Sequence, residues 1–335
     1  MKTVLIIGAT GTIGAYTALE LKEKGYNVIA TGRRKSDSHF FKNHGINYHP
    51  LDISLKEDFV NVKKDKIHAI IHCAGIMPAR MIDYQPKKYI ESILSGTLNV
   101  LDYAVSVNAN RIIFTQTRAD SSYLMGTTNP IPADIEKKFP LNGDHSIYTI
   151  CKNAAVDLIE HYFHEYGLKR FILRLPTIYA YHPDPYYYVN GEKRWMAYRL
   201  IMEQAKRGEK IEIWGDPSRQ KEITYIKDLT QIFEKCIETK IEGGTYNVGR
   251  GIGVTLEEQI TGIVNVFSQP ENKSKIIYKP NKPNARQFIH DISKTEEELG
   301  YVPKFDYLSL LKDFKMEMKL NRFEKLWGVQ DDYVK

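Results

Sequence analysis

Val4-Leu5-Ile6-Ile7 is an unbroken apolar run that stops at Gly8, the pattern of a strand covered on both faces in a parallel sheet. Residues 13–21 turn to helical spacing, and a second strand is predicted over residues 27–31, which together make a βαβ unit of about 30 residues. Further strand patterns fall at 46–51, 69–72, 111–115 and 170–173, separated by helical stretches such as 89–107 and 148–166. Such alternation predicts an α/β fold built on a doubly wound parallel sheet. Beyond Arg174 the rhythm loosens. Residues 179–191, rich in Tyr, Pro and Gly, read as a long loop. A helix at 195–206, short strands at 211–214 and 246–248, and helices at 256–267 and 308–320 suggest a second, smaller mixed α/β region. The expected boundaries are 1–178 plus about 223–240 for the dinucleotide-type domain, and 179–222 with 241–335 for a substrate-binding domain. The tail 316–335, with Phe323, Leu326 and Trp327 among charges, is expected to pack back on the body as a helix.

Composition adds little to that picture but excludes several classes. The 335 residues carry 47 Lys and Arg against 41 Asp and Glu, and the basic residues are scattered rather than gathered, so nucleic-acid binding is not expected. Cys73, Cys151 and Cys236 have no paired spacing, which suggests neither a disulfide framework nor a zinc knuckle and makes a reducing, cytoplasmic setting the expectation. Residues 3–19 lack charge and superficially resemble a signal peptide, but Gly8, Gly11 and Gly14 fit a turn better, and no stretch approaches a membrane span. His161 and His164 share a helix face with no third ligand nearby, so no metal is expected.

Three patterns carry chemistry. Gly8-x-x-Gly11-x-x-Gly14 lies between a predicted strand and helix; its glycines permit a tight turn, approach of a pyrophosphate to the backbone, and close helix packing. At the end of the second strand, where NAD sites usually offer a carboxylate to the ribose, stand Gly32, Arg33 and Arg34, with no acid before Asp37. Guanidinium groups there suit a 2′-phosphate, so NADP(H) is favoured, with NAD(H) the alternative. Tyr148 and Lys152 sit four apart on a predicted helix, one loop beyond Thr117 at the end of a strand. A phenol needs a neighbouring cation to exchange protons near neutral pH, and Thr117 can bond the same substrate oxygen.

Together with Leu51-Asp52-Ile53, His72-Cys-Ala74-Gly75, Gly96-Thr97, Arg174-Leu-Pro176-Thr177-Ile-Tyr179 and Gly243-Gly-Thr-Tyr-Asn-Val-Gly249, these motifs resemble the extended short-chain dehydrogenase/reductase family, to which nucleotide-sugar epimerases, dehydratases and ketoreductases belong. The resemblance covers nearly the whole chain. It implies a Rossmann fold and a catalytic set of Thr117, Tyr148 and Lys152, with Lys152 lowering the pKa of Tyr148. With the arginines read above, the expected cofactor contacts are Gly8, Thr10, Gly11, Thr12, Ile13, Gly14, Arg33, Arg34, Asp52, Ile53, Ala74, Gly75, Tyr148, Lys152, Pro176 and Thr177, the resemblance implying that Lys152 holds the nicotinamide ribose. It implies diphosphate contacts from Arg286 and, as a weaker match, Lys221, and a homodimer through the 89–107 and 148–166 helices.

Departures narrow the reaction. Dehydratases of that family place Asp-Glu after the catalytic Thr, whereas Arg118-Ala119 follow Thr117 here. Ile93, Thr177 and Ala180 also replace residues usual in the family. The resulting expectation is an NADPH-dependent keto-sugar reductase acting on a nucleotide-linked sugar, with an NAD-dependent 4-epimerase and a non-catalytic NADP(H) sensor as alternatives. The Tyr186-Tyr187-Tyr188 cluster reads equally as a base-stacking surface or as loop-anchoring bulk.

Overall fold

The alternation of apolar runs and helical stretches resolves, in a computed structural model describing residues 1–62, 66–127, 129–189 and 191–334, into one large parallel sheet with helices on both faces. Its strands are β1 (Thr3–Ile7), β2 (Asn27–Gly32), β3 (Asn47–Pro50), β4 (Ala69–His72), β5 (Arg111–Thr117), β6 (Lys169–Leu175) and β7 (Gly243–Asn247). They run in the spatial order β7-β6-β5-β4-β1-β2-β3.

The pleat sends alternate side chains to opposite layers. Val4 and Ile6 enter one core, with helices α1 (Thr12–Glu23) and, from later in the chain, the helix Ile226–Glu238. Leu5 and Ile7 enter the other, with α2 (Gly96–Ser106) and α3 (Asp144–Tyr166). Because β1 pairs with both β2 and β4, the winding reverses between β1 and β4, and the crevice outside that point is where such sheets take ligands.

Several expectations shift in detail. Residues 243–247, assigned by pattern to the smaller region, join the large sheet as its edge strand, with Gly244↔Phe171 and Tyr246↔Leu173 in register. The stretch read as a loop holds the strand Thr177–Tyr179, paired with Ile223–Tyr225, and a hairpin of Tyr186–Val189 with Glu192–Trp195. Its Asn190 lies outside the described residues, as does Lys335 at the end of the tail. Aromatic and β-branched residues favour extended backbone as strongly as Pro and Gly favour turns, and here both signals apply in succession. Helix α4 (Ala197–Arg207) therefore starts two residues beyond Trp195. The tail is not one helix: after the helix Tyr307–Leu320, Asn321 adopts a left-handed conformation and two short turns follow, Glu324–Trp327 and Asp331–Val334.

The later region has no core of its own. Met202, Ile211, Ile260, Phe267 and Phe314 belong to the same apolar cluster as Val4, Ile6 and Tyr16. Among the described residues no helix is long and apolar enough to cross a membrane.

Candidate active site

The glycine turn closes through backbone bonds: Ala9 N–H donates to Thr31 O (2.7 Å) and Gly11 N–H to Gly8 O (3.1 Å). Gly8 needs its positive φ of 89°, and a Cβ there would lie 2.9 Å from Ala74 N. At Gly14 a Cβ would lie 2.4 Å from Gly8 O, whereas at Gly11 it would meet only Gly8 O at 3.4 Å. The turn is thus packed behind and open in front. Helix α1 begins there with no capping side chain and no acid in its first turn, so the amides of Thr12 and Ile13 face outward in the manner that suits a phosphate. These residues fit a dinucleotide.

Around that turn, Ala74, two residues past the end of β4, stands over Gly8, and Gly75 follows beside Ile93 and Lys152. Asp52 accepts from Ser54 N (3.0 Å) and Ser54 Oγ (2.7 Å), a turn that fixes the buried Ile53 against Gly96. Pro176 and Thr177 follow β6 into the strand paired with Ile223–Tyr225. At the end of β2, Thr10 crowds Gly32, with its Oγ1 2.6 Å from where a Cβ would stand. Asp37 is spent on the backbone, accepting from Phe41 N (2.7 Å) and His39 N (3.2 Å). The two arginines separate in role: Arg34 donates to the Leu326 carbonyl of the tail, while Arg33 is exposed and, among the described residues, has no partner.

Thr117 closes β5 and accepts from Ala119 N (3.2 Å). Tyr148 lies in the second turn of α3, which starts at Asp144 rather than at the tyrosine itself. Burial pushes its phenol up to about 12, while the Thr117 hydroxyl pulls it down. Lys152, one turn on, is 4% exposed. Its Nζ donates to Thr115 O (2.7 Å) and stands 4.3 Å from the centre of the Phe114 ring, and burial pushes it down to about 8. The expectation that Lys152 acidifies Tyr148 is therefore corrected for this arrangement: the ammonium is turned to a carbonyl and an aromatic face, and the groups acting on the phenol are its burial and Thr117.

At the other end of the crevice cations gather. A buried Glu222 accepts from Arg250 N (2.7 Å), Gly251 N (2.9 Å), His290 N (2.8 Å) and His290 Nδ1 (2.6 Å). That knot fixes Lys221 beside it, and Lys221 bridges to Phe288. Arg286 lies two residues before Phe288. Arg118, the residue after Thr117, lays its guanidinium 4.4 Å from the centre of the Phe288 ring. Burial, then Arg118, holds Lys221 down at about 8; burial, then Arg286, holds Arg118 at about 10. His145, one turn before Tyr148, is lowered mainly by burial, with Arg118 and Arg286 adding to the effect and Asp144 opposing it. The segment carrying Thr117 and Arg118 is pinned by a buried ion pair, Arg174 to both oxygens of Asp120 (3.0 and 3.1 Å from Nε).

Thr117, Tyr148 and Lys152 thus come together, and Lys221 and Arg286 meet on a common neighbour. Sequence reasoning passed over Arg118 and His145 as site residues, although their spacing, one after Thr117 and three before Tyr148, places them on the same edge.

Residues 4–249 match the family described as NAD dependent epimerase/dehydratase family. The chain belongs to it. Among similar proteins, UDP-glucuronate 4-epimerase 5 of Arabidopsis thaliana is 25% identical over 344 residues, covering 93% of this chain and 74% of that one. UDP-glucose 4-epimerase of Thermotoga maritima superposes with a TM-score of 0.75 at 22% identity, over 95% of this chain and 99% of that one. UDP-glucuronic acid 4-epimerase of Bacillus cereus, solved with UDP-glucuronic acid and NAD, gives 0.70 at 19% identity, over 94% and 99%. As a member of the epimerase/dehydratase family, the chain is an enzyme using a nicotinamide dinucleotide. These three relatives are 4-epimerases, not the reductase favoured from sequence.

Proposed function

We propose that this enzyme is a nucleotide-sugar 4-epimerase. The observation that carries the reading is the disposition of the crevice: a proton-handling set at one end and unpaired cations at the other, spaced along one sheet edge. The substrate's diphosphate lies against Lys221 and Arg286, where two positive groups meet two negative charges. Beyond Arg286 a cavity of about 560 Å³, lined by Tyr123, Phe139, Pro140 and Arg219 among others, receives the nucleoside. Anchored in this way, the sugar presents its C4 hydroxyl to Thr117 and Tyr148. The dinucleotide, held at Gly8, Gly11, Gly14 and the start of α1, supplies reversible hydride transfer at C4. Tyr148 takes the hydroxyl proton as the ketone forms and returns it after the sugar has turned over, while Thr117 holds the same oxygen. Lys152, when its charge faces the phenol, makes that exchange easier. The enzyme works as a homodimer through the exposed apolar side chains Ile90, Leu98 and Ile150 on the helices of one face.

A second reading rests on Arg33. With Gly32 crowded and Asp37 capping a turn, the free guanidinium is suited to a 2′-phosphate, and NADPH is the usual donor of a reductase. One assay separates the two. The purified enzyme is incubated with UDP-glucose and with UDP-glucuronate, with NAD, NADP or neither added, and products are followed by NMR together with the nicotinamide absorbance. The C4 epimer appearing without net change in absorbance is the expected result. Inactivity on both sugars, with stoichiometric NADPH consumption on a 4-keto sugar, would overturn it in favour of the reductase.

A further inference from the structure

Arg118 is a cation of the crevice, next in sequence to Thr117, that the proposed reaction leaves without a task. Its guanidinium rests on Phe288 and donates to Met125 Sδ (3.3 Å); among the described residues it has no acidic partner, and the charges nearest it, Arg286 and Lys221, are of its own sign. A half-buried arginine so placed is costly unless an anion joins it. A sugar diphosphate brings two negative charges, which Lys221 and Arg286 already match, so the third cation calls for a third negative charge. Chain geometry places it. Arg118 follows Thr117, whose hydroxyl reaches Tyr148, while its guanidinium faces Arg286 and Lys221, so it stands between the reacting C4 and the diphosphate; of the two ring carbons that flank C4, C3 bears a hydroxyl and only C5 bears a carbon that can be a carboxylate.

We infer that Arg118 binds a carboxylate on C5 of the sugar, which makes the preferred substrate a nucleotide-linked uronic acid and Arg118 a specificity-determining residue. The inference rests on the 4-epimerase reading for the orientation of the ring. The planar fork of Arg takes a carboxylate with two parallel bonds, and Phe288 beneath it fixes the plane. A neutral hydroxymethyl group at C5 leaves the guanidinium desolvated and unpaired, so discrimination comes from both substrates.

Affinities of the intact enzyme, with dinucleotide present, for UDP, UDP-glucose and UDP-glucuronate test this by calorimetry, for the wild type and for Arg118→Met and Arg118→Lys. The wild type should prefer the uronate by tenfold to a hundredfold, on the order expected for charged hydrogen bonds. Arg118→Met should cost the uronate at least about tenfold more than it costs UDP or UDP-glucose, and Arg118→Lys should fall between. Equal affinity of the wild type for the two sugars would overturn the inference, and that measurement needs no variant. A parallel loss of UDP itself in Arg118→Met would also overturn it, assigning Arg118 to the diphosphate. Failure of the reaction reading is distinct: uronate preference that depends on Arg118, without epimer formation, would sink the 4-epimerase assignment and leave the carboxylate contact standing.

Discussion

Lys152 is held between two demands: its charge is wanted beside a phenol, and its surroundings disfavour that charge. Burial against Phe114 and the β5 backbone brings it to about 8, from an ordinary value of 10.5. The unfolded chain keeps the proton up to that ordinary value, so between about 8 and 10.5 unfolding takes a proton up. The penalty of the buried charge is therefore full below about 8 and is relieved as pH rises through that window. Two consequences follow. Activity that depends on the ammonium should fall as pH rises above about 8, and Lys152→Met should lose about a hundredfold or more in turnover while gaining thermal stability at neutral pH. That gain should shrink between pH 8 and pH 10 in melting experiments on the two proteins. A stability difference independent of pH would refute the depressed value. The spacing of Tyr148 and Lys152 was legible from sequence because i,i+4 is a local property of a helix. The direction of the ammonium was not, since it is decided by a carbonyl of β5, 37 positions away in the chain.

The glycine turn and α1 separate packing from binding at the level of one element. Gly14 is pressed against the turn, with an added Cβ only 2.4 Å from a carbonyl that cannot move without opening the βαβ unit. Gly11, with ordinary φ of −85°, has almost nothing before it. Gly14→Ala should thus cost about 3 kcal/mol or more of stability, the range of overpacked or strained backbone sites, and lose dinucleotide with it. Gly11→Ala should keep its melting temperature to within a few degrees yet bind dinucleotide at least about tenfold less tightly, because its methyl group occupies the face offered to the pyrophosphate. Calorimetry and melting on both variants check this; equal loss of stability in the two would contradict the division. This unit was readable because strand, turn and helix each carry their own period. The hairpin Tyr186–Val189 with Glu192–Trp195 was harder, because its strands are short and its stabilising contacts are cross-strand, as in Tyr186 against Trp195 (4.9 Å between ring centres) under Lys193. Those contacts favour anchoring as the task of Tyr186.

At the scale of the whole molecule, the tail meets the glycine turn. Phe323 packs 4.5 Å from Tyr16 of α1, Trp327 stacks on Phe323 at 4.4 Å, and the Trp327 indole N–H donates to Thr10 O (3.0 Å) across 317 positions of sequence. Arg34 is tied to the same tail through Leu326. The apolar residues of the tail announced that it would be buried, but nothing local told where, because the partner surface is assembled from the glycine turn, the first helix, Phe40 and the loop at His182. This closure explains why the later region lacks a separate core and why the glycine turn is firm although it sits at the start of the chain. Trp327→Ala should destabilise by about 3–5 kcal/mol through lost packing. Trp327→Phe, which keeps a ring but removes the indole donor, should cost only about 1 kcal/mol while loosening the Thr10 carbonyl and speeding dinucleotide release. Release rates measured by the fluorescence of a bound reduced dinucleotide would decide the point: a rate unchanged in Trp327→Phe would make the tail a packing element alone, with no hold on the cofactor turn.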